Sequence, residues 1–131
     1  MAKSKQTKAH EIPYEAKLAV FKRQNGKSLF APYRAITIDM CCCHFVSRAN
    51  GGVGQEWNIF GCYQTAWIDE HKAYDGQLSD KEVKALTNLD RDHMKMVVKN
   101  HLNKSYKNWS IDKCKYHKYW DWQDYEIKRN Y

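Results

Sequence analysis

No uninterrupted apolar run in the 131-residue chain approaches the roughly 20 residues needed to span a bilayer, so no membrane crossing is expected. The stretch Met1 to His10 is polar and Lys-rich and lacks the apolar centre of a secretory signal. A cytosolic setting with reduced cysteines is the expectation. Glycine and proline are few, six and two, and neither occurs after Gly76. No segment repeats, which excludes a solenoid. Acidic residues are in deficit, 15 against 22 Lys and Arg, for a net charge of +7. Such a balance favours polyanions, meaning nucleic acid or a protein that handles it. With 43% hydrophobic and 14% aromatic residues the chain is too apolar to be disordered. Its length suits one domain, or one domain with a tail, hiding about two-thirds of its unfolded surface.

Residues 1–11 read as a flexible basic arm. Ile12-Pro13 opens a helix from about Tyr14 to Gln24, with Leu18 and Phe21 inward and Asn25-Gly26 ending it. Ala35 to Asp39 reads as a strand from its β-branched residues, and Tyr63 to Ala73 as a further helix. Ser79-Asp80-Lys81-Glu82 is a capping box, followed by Val83, Leu86 and Leu89 on one helix face. Met94, Val97, Val98, His101 and Leu102 recur at the spacing of a second buried helix face. The last twenty residues interleave Tyr116, Tyr119, Trp120, Trp122, Tyr125 and Tyr131 with lysines.

Five cysteines, Cys41, Cys42, Cys43, Cys62 and Cys114, are too clustered for a disulfide framework, because adjacent Cβ atoms point to opposite sides of an extended chain. A metal site or a set of buried thiols is the expectation. Cys41 and Cys43 share a side if that stretch is extended. A structural zinc held by some four of Cys41, Cys43, His44, Cys62 and His71 is chemically reasonable, with Cys41, Cys43, Cys62 and His71 the favoured set. Cys114-x-x-His117 is a second half-site.

The run His44-Phe45-Val46-Ser47-Arg48-Ala49-Asn50-Gly51-Gly52, then Trp57-Asn58-Ile59 and Cys62, resembles the core of the HNH (ββα-metal) endonuclease family. Ile12-Pro13-Tyr14-Glu15-Ala16-Lys17, Arg23 and Asn25-Gly26 look like the opening helix of its phage-encoded members. The resemblance covers roughly residues 8–76 and implies an α+β fold. An HNH-like ββα core at 12–76 would carry an N-terminal helix, and residues 77–131 a helical, basic and aromatic extension packed on that core. In the family the His is a general base and an adjacent ligand holds a divalent ion on the scissile phosphate. His44 and Asn58 match the base and the Asn that braces the loop.

The departures fall on the metal ligands. The two Cys-x-x-Cys pairs of phage members align with Ser28 and Ala31, and with Cys62 and Thr65. The family's last His aligns with Ala66, or with Trp67 in a register that brings His71 to a ligand position. Cys43 stands where active members have an acidic ligand. Ser, Thr and Ala cannot replace thiolates on zinc. The implied protein is a non-catalytic, phage-encoded HNH-like module in the bacterial cytoplasm, with His44 and Asn58 vestigial. It resembles a small anti-CRISPR inhibitor that denies target DNA entry to a type II CRISPR effector nuclease. A working HNH nuclease and a plain nucleic-acid-binding module are the alternatives. Lys95, Lys99, Lys104, Lys107, Lys113, Lys115 and Lys118 are the expected binding surface, flanking rings expected to be mostly core.

Overall fold

The computed structural model describes residues 4–119 and 127–131. Helices and two small antiparallel sheets succeed one another, which is the α+β class expected. No described helix is long and apolar enough to cross a membrane.

The centre is a hairpin of β1 (Cys41–His44) and β2 (Ile59–Cys62), with Cys41 opposite Cys62 and His44 opposite Ile59. Side chains alternate across a strand, so the hairpin presents two different faces. On one face Ile59 packs with Ala16 and Val20 of α2 (Tyr14–Arg23) and with Ile36 and Met40. On the other, Cys43, Phe60 and Cys62 meet α3 (Glu70–Tyr74), α4 (Asp80–Thr87) and α5 (Arg91–Ser105) through Tyr74, Val83, Met94, Val98 and Leu102. This second cluster runs from the hairpin into the C-terminal helices, so the extension is fused to the core by shared apolar burial. Each large side chain buried there stabilises the fold by about 1.5–3 kcal/mol. A short sheet of β3 (Tyr106–Lys107) and β4 (Lys128–Arg129) follows α5.

The capping box forms as read. Ser79 Oγ accepts from Glu82 N–H at 3.2 Å, and the Glu82 carboxylate accepts in return from Ser79 N–H at 3.2 Å. Met94, Val98 and Leu102 are fully buried on α5.

Four readings need correction. Of the arm expected at 1–11, the described part is not free: α1 (Lys5–His10) is capped by Ser4 and buries Ala9 and His10. The inner face of α2 is Ala16, Ala19, Val20 and Arg23; Phe21, half-buried, packs against that core as expected, while the half-buried Leu18 does not belong to it. Ala35 to Asp39 is not a strand; Ala35 makes a single bridge to Lys27 and finds no ladder beyond it. The helix expected over Tyr63 to Ala73 shrinks to Glu70–Tyr74, because a tight turn closed by Thr65 N–H to Ile68 O at 2.7 Å comes first. Trp120, Trp122 and Tyr125 lie outside the described residues. Trp109 is half-buried, donating Nε1–H to Trp57 O at 2.8 Å and packing on Phe45.

Half-buried His101 accepts from Arg23 Nε–H at 2.8 Å. Burial first, and then the neighbouring Arg23 and Lys104 charges, push its pKa down to about 3. Burial also lowers that of His44. A depressed histidine binds fewer protons folded than unfolded, so its contribution is intact above pH 6.5 and falls as pH drops toward the folded value. We predict that stability, read from urea melts, declines between pH 6.5 and 4.5 at up to about 1.4 kcal/mol per pH unit from His101. His101→Gln, which can still accept from Arg23, should flatten that slope; an unchanged slope would refute the assignment.

Candidate nucleic-acid interface

Residues 45–58 connect β1 to β2 and are held by one amide. Asn58, fully buried, accepts at Oδ1 from Val46 N–H at 2.8 Å and donates Nδ2–H to Val46 O at 3.1 Å and Val53 O at 2.7 Å. The Gly-Gly turn is required by space as well as torsion. Gly51 has φ +87°, and a Cβ on Gly52 would lie 1.7 Å from the Val46 carbonyl oxygen. His10 at the end of α1 bonds through Nδ1 to the Gly52 carbonyl, and its own carbonyl accepts from His44 Nε2–H at 3.0 Å. The loop is thereby clamped between α1 and the hairpin.

The bond to the His10 carbonyl places the His44 proton on Nε2 and leaves Nδ1 as the basic nitrogen. Burial lowers its pKa, helped by the Arg48 and His10 charges and opposed by that backbone bond, so the ring is neutral at pH 7. His44 stands at the junction of two concavities. A cavity of about 400 Å³ is lined by Cys42, His44, Ser47, Arg48, His71 and Asp75. A groove of about 610 Å³ runs from His44, Ser47 and Asp75 past Asn50 to Lys95 and Lys99 of α5 and to Lys115.

The expected lysine surface thus divides. Lys95, Lys99 and Lys115 converge on the groove beside His44. Lys104 and Lys107 are exposed elsewhere, Lys113 donates Nζ–H to Asn108 O at 2.7 Å, and Lys118 stands over the exposed Tyr119 ring.

The four favoured zinc positions are brought together, but not as four free ligands. Cys43 and Cys62, each 1% exposed, are joined in a disulfide within the core. Cys41, across from Cys62, has its Sγ 3.1 Å from His71 Nδ1, while His71 Nε2 meets Asp75 Oδ2 at 2.6 Å. The Cys41 bond leads in pushing the His71 pKa up to about 9. Burial pushes Cys42 up to about 11 and Cys114 to about 12, so both are thiols at pH 7. Cys114 donates to the carbonyls of Trp57 and Ser110, and His117 bonds to Asp112 O, so that half-site does not join the hairpin. Among the described residues, no three His, Cys, Asp or Glu side chains stand ready around one point.

Two of the other departures, Ser28 and Thr65, are occupied by hydrogen bonds. Ser28 Oγ accepts from Phe30 and Ala31 N–H and donates to buried Glu70, and Thr65 Oγ1 accepts from Trp67 and Ile68 N–H. Asp75, Arg48 and Glu70 were not among the expected site residues. Asp75 lies four residues after His71, a spacing that puts both on one helix face and was readable from the chain. No family model, curated protein or solved structure matches the chain, and the HNH resemblance rests on the residues quoted for it.

Proposed function

We propose that this chain is a phage-type, HNH-like module without a working nuclease centre. On this reading it acts in the bacterial cytoplasm by binding a type II CRISPR effector nuclease and denying it target DNA. One observation carries the non-catalytic part. Cys43, at the position beside the His44 base where the resemblance expects a hard acidic ligand, points into the core and is bonded to Cys62. The small cavity then offers one carboxylate, Asp75, and that one is engaged with His71 at 2.6 Å. The binding part rests on the groove where Lys95, Lys99 and Lys115 converge, whose charge suits the phosphodiester backbone of the guide strand that the effector carries before target DNA enters.

The protein is expected to inhibit DNA cleavage by a purified type II effector and to leave plasmid intact with magnesium or manganese. The triple variant Lys95→Glu, Lys99→Glu, Lys115→Glu should weaken inhibition at least about 10-fold and reduce the salt slope of binding by about 3, one unit per lost phosphate contact. Tight binding to naked DNA with no effect on the effector would favour the plain binding module. A nuclease reading keeps one observation in its favour, the grouping of neutral His44 with Arg48, His71 and Asp75 around one cavity. Plasmid nicking abolished by His44→Ala would replace the inhibitor reading with that one.

A further inference from the structure

The hairpin face that carries Cys41, Cys43 and Cys62 is covered by α3, whose Tyr74 stacks edge-on against Phe60 at 4.9 Å. His71 lies one turn earlier on α3 and reaches over the same face to Cys41. Cys41 and Cys62 are cross-strand partners, Cys43 is bonded to Cys62, and His71 Nδ1 lies against Cys41, so the four residues share one face of the hairpin although, with the disulfide closed, no three of them surround one point. The imidazole is also oriented as a metal ligand would be. Asp75 holds Nε2–H at 2.6 Å and so turns Nδ1 toward the Cys41 sulfur 3.1 Å away, the nitrogen that would bind an ion once its proton is displaced. A carboxylate behind a histidine, fixing its tautomer and raising its basicity, is the usual outer support of a zinc-bound imidazole. In tetrahedral zinc, sulfur and nitrogen ligands lie roughly 3.6 Å apart, so the Cys41–His71 pair is already near ligand spacing, while the Cys43 and Cys62 sulfurs must first part by breaking their bond.

We propose that the Cys43–Cys62 disulfide is the oxidised form of a zinc site, and that reduction creates a Cys41, Cys43, Cys62, His71 centre supported by Asp75. The opening step is ordinary disulfide reduction. A dithiol reductant attacks one sulfur, the Cys43–Cys62 bond breaks, the reductant leaves as its own disulfide, and two thiols form. Zinc then displaces the protons of three thiols and the Nδ1 proton of His71, four in all, and binds three thiolates and the neutral imidazole. Soft thiolates select zinc over magnesium, so this centre takes a different ion from a nuclease metal although Cys43 and His71 stand at positions where the HNH resemblance expects metal ligands. It lies on the opposite hairpin face from Ile59 and shares only the edge residues His71 and Asp75 with the small cavity. The proposal does not depend on the inhibitor reading.

The test is metal uptake by the whole protein, with a phosphine reductant that does not itself bind zinc strongly. Native mass spectrometry of reduced protein should show one zinc per chain, and oxidised protein none. Cobalt in place of zinc should give thiolate-to-cobalt charge-transfer bands and the visible bands of a tetrahedral ion. Cys41→Ser and His71→Ala should each weaken zinc at least about 10-fold, and Asp75→Asn, which leaves every ligand in place, between about 10- and 100-fold. Cys42→Ser and Cys114→Ser should leave affinity unchanged. Circular dichroism distinguishes lost ligation from lost folding. Reduced, folded protein that takes up neither zinc nor cobalt overturns the proposal, as does uptake insensitive to Cys41→Ser, His71→Ala and Asp75→Asn.

Discussion

Arg23→Ala should destabilise the protein by about 3–5 kcal/mol, a large part of the 5–15 kcal/mol that holds a typical domain folded. Arg23 closes α2 and is only 7% exposed. Its guanidinium spends four donors on four separate parts of the chain. Nε–H goes to His101 of α5 at 2.8 Å, Nη1–H to the Glu56 carbonyl at 2.7 Å and to the Tyr106 hydroxyl at 2.8 Å, and Nη2–H to the Ile59 carbonyl at 2.7 Å. Truncation leaves two backbone carbonyls, a phenol and an imidazole without that donor, each a desolvated group costing about 1–3 kcal/mol when unmet, partly relieved by water. The Tyr106 hydroxyl also donates to the Glu56 carboxylate at 3.0 Å, and that carboxylate holds Arg129 at 2.6 Å and Tyr131 at 2.8 Å. Losing Arg23 therefore loosens the seat of β4 as well. Arg23→Lys should recover little, because one ammonium cannot span a planar fork of four acceptors. The measurement is the urea midpoint at pH 7 with an unchanged m-value. A loss below about 1 kcal/mol would mean that the four bonds are replaced by water at no cost.

Arg23 also shows where reading the chain stops. In sequence it is a basic residue in the last turn of a helix, where solvent and the helix dipole explain it well enough. Its burial follows from α2 lying against β2, a long-range fact that no local pattern encodes. What was legible was local or strongly periodic: the Ser79 capping box, the apolar spacing of α5, and Asn58 beside the Gly-Gly turn. Ala35 to Asp39 had strand propensity without a partner, and extended chain needs a ladder more than it needs β-branched residues. α1 was missed because Lys5–His10 is polar on nearly every face and is held by two residues, Ala9 and His10, docking on the loop. At the candidate site, the chain indicated which residues carry chemistry. It did not say that Cys43 and Cys62 face the core, since that depends on which parity of the Cys41–His44 run meets α3.

Removal of Glu70 is the second large effect expected, because its buried carboxylate ties together three parts of the chain. The carboxylate is 0% exposed and fully engaged. Oε2 accepts from Ser28 Oγ–H at 2.6 Å and from Arg34 Nη1–H at 2.9 Å, and Oε1 accepts from Tyr63 N–H at 2.8 Å. Arg34 continues the chain to the Leu86 carbonyl of α4 at 2.7 Å. One buried ion pair thus links the Ser28 turn, the strand β2 exit, α3 and α4, which is the kind of cross-link a four-thiolate zinc would provide. Glu70→Met should cost about 3–5 kcal/mol, because it strands the nearly buried Arg34 guanidinium along with Ser28 and Tyr63 N–H. If the damage comes from that stranded charge, Glu70→Met combined with Arg34→Met should cost less than Glu70→Met alone, since an apolar pair of similar volume often matches a buried ion pair. Urea melts of the two single variants and the double form a cycle that isolates the coupling. Strictly additive losses would show that the two side chains stabilise separate parts of the fold, and the ion pair would no longer count as a cross-link between them.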